Sequence, residues 1–495
     1  MAICQCCDIW DWIHNLPPIP EWKSNSMSMP VCSSTSNQPS LNLSVAKSRD
    51  AQSFYFSILA NFSLPISLWT SKPFTLNAKS SRKLIDEAIV PKLMTNLIED
   101  VLKYGSSNKR LLYRIPKLDS IAKFKDIFNF VFLSLTFLVC IYEAPTDIRC
   151  ACLTTLKDQL SCSQSRQASK QLMRHLGSNI EEQWVRSINV AFTNWIVELK
   201  EENCSLKTPS PLFSYALSTI GLWKVQLYCP VIAMDVVSSS SSSADPRLQF
   251  SLNYHQLEGV IQFYYKVTAR ERWIDVAMSI DNLRLDVVRL VNETLIRERG
   301  VGSSEKHFPS QISLQLTPIF QSDVISVSVG KSSENPVREI GTERTIETSF
   351  DLPTSVGIRV AAGESSTINL KPWKFEESVY GNTAILNWFL HDTMSGREVS
   401  STKPSLLSLL HPKSWFKNRY SSAYRPFTRQ GGIVFAKDGY GDGVCWKVDK
   451  NAMGRTMEWE VKGMVWLTYW PNRHRTLYNE TRRLEFKDTI YITLV

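Results

Sequence analysis

Residues 127–142 read IFNFVFLSLTFLVCIY, sixteen positions without a charge between Asp126 and Glu143. Their reading decides whether the chain is built around a membrane span or a core helix. At about 1.5 Å per residue they reach ~24 Å, short of a hydrocarbon layer of ~30 Å that takes about 20 residues. Asn129, Ser134 and Thr136 weaken a span further. The stretch predicts the buried central helix of an all-α domain. The competing reading is an integral protein held by 127–142, with the side carrying Lys117, Lys123 and Lys125 in the cytoplasm.

Outward from that stretch the period stays helical. Leu84, Ile85, Ala88, Ile89, Leu93, Leu97, Val101 and Leu102 recur at spacings of three and four, and Gly105 closes the run. Further helices are predicted over 119–142, 146–162, 164–177 and 179–200. The last carries Ile180, Trp184, Ile188, Ala191, Phe192, Trp195 and Leu199 as one stripe. Residues 1–50, rich in Ser, Pro and Asn, read as a tail whose first ~22 residues dock through Trp10, Trp12, Ile13 and Trp22.

Beyond Pro209 the period changes to two. LWKVQLYCPVIAMDVV (222–237) reads as one or two strands, followed by a serine-rich loop at 238–243. RLQFSLNYHQ with GVIQFYYKVT, and WIDVAMSI with LRLDVVRL around Asp281-Asn282, read as two hairpins. QISLQL, VISVSV, TIETSFDL, VGIRVAA, STINLKPW, GIVFAK, GVCWKVD, TMEWEVKGMVWLTYW and RLEFKDTIYITL supply further strands. The expected class is α+β: an N-terminal helical bundle followed by a C-terminal antiparallel β-sandwich, divided as 1–50, 51–210 and 211–495.

Composition narrows the function. The 495 residues carry 56 Lys+Arg against 47 Asp+Glu, a net charge of +9, with only 19 glycines and as many as 15 tryptophans. Glycine stands at about half its usual ~7 %, which disfavours Gly-rich phosphate loops, and no nucleophile elbow, Walker loop, zincin or kinase signature occurs. An enzyme is therefore disfavoured, and no cofactor or small-molecule substrate is implied. The N-terminus lacks the basic and apolar regions of a secretory signal, so an intracellular protein is expected, cytoplasmic or membrane-peripheral, with the eleven cysteines reduced.

Three sites draw attention. Cys4, Cys6 and Cys7 read first as plain buried thiols on a docked tail; beside Trp10 and Trp12 they also suit S-acylation, and as zinc ligands they fit no standard pattern, even with His14 and Cys32 added. Asp438, Asp442, Gly443 and Asp449 mimic four positions of a calcium loop, but Tyr440 stands where a carboxylate is needed, and a hairpin turn is the expected form. Between Glu398 and Asp438 no acid occurs, while Lys403, Lys413, Lys417, Arg419, Arg425, Arg429 and Lys437 interleave with Trp415, Phe416, Tyr420, Tyr424 and Phe427. The segment reads first as a long connection crossing the sandwich, its aromatics in the core and its cations paired with acids from elsewhere; as a site, Lys413, Trp415, Lys417, Arg419, Arg425 and Arg429 would meet an anionic membrane surface or a protein partner, and less readily a nucleic acid.

The opening MAICQCCDIWDWIHNLPPIPEWK (1–23) and the closing EWEVKGMVWLTYWPNRHRTLYNETRRLEF (458–486) resemble a family of uncharacterised proteins of flowering plants. The resemblance implies a plant intracellular source and brings no catalytic residue. The expected function is a non-enzymatic binding or scaffolding module, in its sharper form peripheral to membranes. The alternatives are an integral protein held by 127–142 and an enzyme with an unfamiliar site near His391, Asp438 or Asp442.

Overall fold

The computed structural model describes residues 8–32, 40–48, 53–61, 64–75, 89–105, 121–201, 214–239, 245–300, 305–330, 339–347, 361–369, 373–390, 432–436, 443–469, 478 and 480–495. It combines helices with antiparallel sheets. In chain order the first elements are α1 (Ile9–His14), β1 (Ser26–Cys32), β2 (Ser40–Lys47), β3 (Ser53–Asn61), β4 (Ile66–Thr70) and β5 (Phe74–Thr75). Five helices follow: α2 (Ile89–Lys103), α3 (Ile121–Glu143), α4 (Thr146–Ser161), α5 (Ser163–Leu176) and α6 (Ser178–Glu201). Next come β6 (Ser214–Thr219), β7 (Leu222–Pro230), β8 (Asp235–Ser239), α7 (Pro246–Asn253), β9 (His255–Ala269), β10 (Trp273–Arg289) and α8 (Glu293–Arg299). The chain continues with β11 (Phe308–Pro318), β12 (Val324–Val329), β13 (Glu339–Glu347), β14 (Ala361–Asn369), β15 (Trp373–Tyr380) and β16 (Thr383–Leu390). It closes with β17 (Gly432–Ala436), β18 (Val444–Asp449), β19 (Thr456–Tyr469) and β20 (Glu480–Thr493).

Helix α3 lies inside the protein, with 83 % of its apolar window buried, so 127–142 is a core helix rather than a membrane anchor. Its polar residues are satisfied locally. Ser134 Oγ donates to Phe130 O at 2.8 Å and Thr136 Oγ1 to Phe132 O at 2.9 Å, which lets both sit in an apolar interior. Asn129 Oδ1 accepts from the Trp10 backbone N–H at 2.8 Å, and the Trp10 ring meets Phe124 and Phe128 edge-on at 4.9 and 5.3 Å. Lys125 pairs with both Asp8 and Asp11. Of the residues expected to dock the N-terminal segment, Trp10, Ile13 and Trp22 are buried, and Trp12 is only half-buried against the core.

The remainder of the expected tail differs. Residues 26–32 and 40–47 are strands of a five-stranded sheet ordered β1-β2-β3-β4, with β5 on β3, and this sheet precedes the helices. SLNLSVAK alternates small polar residues with Leu41, Leu43 and Val45, all fully buried, so a Ser-rich composition concealed a period of two. The helix-first order of the expected fold is corrected accordingly.

Two larger antiparallel sheets follow. One is ordered β12-β18-β10-β9-β7-β6 with β17 also on β10; the other is ordered β15-β16-β11-β19-β20-β8. The buried Trp446 of the first meets Trp459 of the second at 5.9 Å. Three expected hairpins are not as read. RLQFSLNY forms α7, because Asp245 caps it through Arg247 N at 2.8 Å and Pro246 takes the first turn. Asp281-Asn282 is no turn; β10 runs through it with a bulge between Ile280 and Asn282. Strands β17 and β18 lie one after the other along β10, with Ala436 opposite Asn282 and Val444 opposite Met278. Gly443, at φ 84°, resumes the ladder where any Cβ would run into the Met278 carbonyl. The serine run begins within β8, where Ser239 and Ser238 pair with Glu480 and Thr481.

Candidate functional site

Two features stand out from the core. The first is a buried polar chain where the starts of β9, β11 and β20 converge. His255 Nδ1 lies 3.2 Å from His307 Nδ1, and His307 Nε2 lies 3.3 Å from Glu480 Oε1. Arg482 pairs with both carboxylate oxygens of Glu480, at 3.0 Å through Nη2, and donates through Nη1 to Val231 O and Ile232 O at 3.1 and 3.0 Å. Tyr478 donates to Glu480 Oε2 at 2.6 Å.

Only one set of neutral tautomers fits. The carboxylate accepts, so His307 Nε2 carries a proton and His307 Nδ1 is a bare acceptor. His255 Nδ1 must then donate, which leaves His255 Nε2 bare, buried and without a partner among the described residues. Burial lowers the pKa of both histidines. At His255 the charges of His307, Arg289 and Lys306 lower it further; at His307 the bond to Glu480 offsets part of the fall. Burial alone would raise Glu480, but His307 and Arg482 outweigh it and hold the carboxyl far below its usual range. The Lys200 pKa is lowered by partial desolvation of its side chain and by Arg482, although the residue stays exposed to solvent. The polar chain is a clamp joining the two large sheets, with His255, His307, Glu480 and Arg482 all buried.

The second feature is the hairpin β13–β14, which pairs with itself and, among the described residues, with no other strand. Its register sets Ile340 against Ile368, Thr342 against Ser366, Arg344 against Glu364 and Ile346 against Ala362 on one face. The intervening rows are Gly341 against Thr367, Glu343 against Ser365, Thr345 against Gly363 and Glu347 against Ala361.

The expected sites are not among these. Cys4, Cys6 and Cys7 lie outside the described residues, as do Lys413, Trp415, Lys417, Arg419, Arg425 and Arg429, together with His391, Asp438 and Asp442. Of the added zinc ligands, His14 stacks on Trp10 and Cys32 donates to the Cys152 carbonyl at 3.7 Å. Among the described residues no group of three or more His, Cys, Asp or Glu is placed to hold a metal ion. The His255–His307 pair was missed because spacing along the chain carries no trace of it: 52 residues separate the histidines and 173 separate His307 from Glu480.

No protein-family model and no curated protein matches the chain. Among solved structures, it is similar to the membrane-inserted form of the Clostridium perfringens NetB toxin, at 10 % identity and a TM-score of 0.19, over 54 % of this chain and 94 % of that one. It is also similar to a structure described as a pore forming protein, at 10 % identity and a TM-score of 0.18, over 56 % and 94 %. These structures are pore formers, not scaffolds, and the expectation of a scaffolding module is withdrawn on that finding. At such TM-scores the likeness establishes no shared fold.

Proposed function

We propose that this chain is a membrane-inserting protein whose hairpin at 339–369 contributes two strands to a pore closed by several copies. The observation that carries the reading is the segregation of residue types by the hairpin's own register. One face holds Ile340, Ile346, Ala362 and Ile368 together with Thr342 and Ser366; the other holds Glu339, Glu343 and Glu347 with small and polar residues and no large apolar one. The one charged row on the apolar face, Arg344 against Glu364, is a pair of opposite sign. The alternation continues in the sequence between the strands: Phe350, Leu352, Val356, Ile358 and Val360 stand at even positions, with Thr348 and Thr354, and Ser349, Asp351, Pro353, Ser355, Gly357 and Arg359 at odd ones. A lipid-facing strand has this pattern.

Length distinguishes a short hairpin from a sufficient one. Nine residues at ~3.3 Å, tilted by ~45°, cover about 21 Å of an apolar band ~25 Å tall; fourteen, from 339 to 352, would cover about 33 Å. A lone two-stranded sheet is marginal in water and has two unpaired edges that lipid cannot satisfy. Closure with the smallest known barrels, of about eight strands, needs at least four copies. The two large sheets, read as the layers of a sandwich joined at Trp446 and Trp459, would be the body that stays outside. An anionic lipid surface is the proposed partner, on the sequence alone: Lys413, Lys417, Arg419, Arg425 and Arg429 interleave with aromatic residues and no acid.

Dye release from vesicles containing phosphatidylserine tests the proposal. The chain is expected to release dye; Ile346→Lys, on the apolar face, should abolish release, and Thr345→Lys, on the polar face, should leave most of it. A lysine facing lipid costs about 2–4 kcal/mol per copy near the midplane, so about 8–16 kcal/mol in four copies. Absence of release, or equal loss in both variants, overturns the reading.

A further inference from the structure

We propose that the His255–His307 contact is an acid-sensitive latch between the seven-stranded and six-stranded sheets, closed while both imidazoles are neutral and opened by protonation. His255 begins β9 of the first sheet; His307 immediately precedes β11 of the second, and β20 of that same sheet, next but one to β11, contributes Glu480. The hydrogen bond between the rings is therefore a bond between sheets. It goes beyond the hairpin reading and does not depend on it.

Neither place for an added proton is comfortable. Protonating the bare His255 Nε2 puts a cation in a fully buried position that faces Arg289 of β10 and Lys306 of the preceding segment. Protonating His307 Nδ1 gains from Glu480 but removes the acceptor that His255 uses. His255 must then change tautomer, and its Nε2–H would have no partner among the described residues. The remaining charged and titratable groups around the pair give little relief. Arg482 of β20 already holds Glu480, Tyr478 donates to the same carboxylate, and Tyr469 of β19 meets His307 through its ring at 5.8 Å. Lys200 of α6 adds a cation near Arg482. Asp286 of β10 lies 3.7 Å from Lys306, Glu293 of α8 lies 3.8 Å from Arg289, and the buried Glu305, two residues before His307, faces Tyr469.

The direction follows from proton binding. A histidine whose folded pKa is lowered binds fewer protons closed than open, so its contribution is complete above the open-state value of about 6.5 and is lost as pH falls below it. Between pH 7.5 and 5.5 the opening equilibrium gains about tenfold for each histidine held neutral, or about 100-fold for the pair. Asp286 works against this: burial raises its pKa to about 6, so closed-state protonation over the same interval favours closure by about fourfold.

Hydrogen exchange of the full chain at pH 7.5 and 5.5, corrected for intrinsic rates, reads the latch directly. Peptides covering 255–262, 305–311 and 480–486 should lose protection by about 25-fold, while peptides in α3 should not. His255→Asn, which keeps an amide donor near the Nδ1 position but cannot titrate, should lose tenfold less. Unchanged protection in the wild-type chain at pH 5.5 overturns the latch, whatever the variant does. So does a wild-type loss that His255→Asn reproduces in full.

Discussion

Removing the carboxylate of Glu480 should be among the most damaging single changes in the protein. Arg482 is 6 % exposed and is held by Glu480 and by the carbonyls of Val231 and Ile232. In Glu480→Ala the guanidinium remains buried with two carbonyls and no counter-charge, Lys200 adds a second cation, and His307 and Tyr478 lose their acceptor. Breaking a buried pair in this way costs about 3–5 kcal/mol, a factor of about 10² to 10⁴ in the unfolding equilibrium. Urea unfolding followed by tryptophan fluorescence measures it. The control is Glu460→Ala, which removes the partner of Lys487 in a pair where the lysine is 65 % exposed; about 1 kcal/mol or less is expected there. If Glu480→Ala falls within 1 kcal/mol of the wild-type chain, the clamp does not hold the sheets together and the argument fails.

Other changes test the packing. Gly463 stands in register with Phe486, whose ring covers it, so a Cβ would enter the ring's van der Waals envelope. Gly463→Ala should cost about 1–3 kcal/mol by thermal unfolding, and Phe486→Leu in the same chain should recover part of it. Trp10→Ala empties the contact with Phe124 and Phe128, at a cost of about 3–5 kcal/mol. Limited proteolysis should then cut within residues 8–25 at protease levels that leave the wild-type segment intact.

The helices were legible because their signal is local. The uncharged run of α3 and the Trp184–Trp195 stripe of α6 each state a period within one element, and the predicted ends lie within two residues of those observed. Alternation was equally plain in β19 and β20. Strands β1 and β2 were not, since serine and asparagine fill their polar positions and composition alone suggests a loop. Helix α7 was concealed by residues that suit either state, although Asp245-Pro246 is a helix start signal. The arrangement of β17 and β18 on one neighbour, and the meeting of His255, His307 and Glu480, depend on pairing between distant strands, which no local period reports. The hairpin was visible as separate strands; its sidedness appeared only when the register placed even residues opposite even residues.

That sidedness is the central claim, and a fluorophore scan tests it most directly. An environment-sensitive fluorophore is placed singly at each position from 343 to 350, and emission is compared in buffer and with phosphatidylserine vesicles containing brominated lipid. Insertion predicts a blue shift and quenching at 346, 348 and 350, with 343, 345, 347 and 349 remaining water-like. A uniform response along the segment, or no response to vesicles at any position, would contradict it.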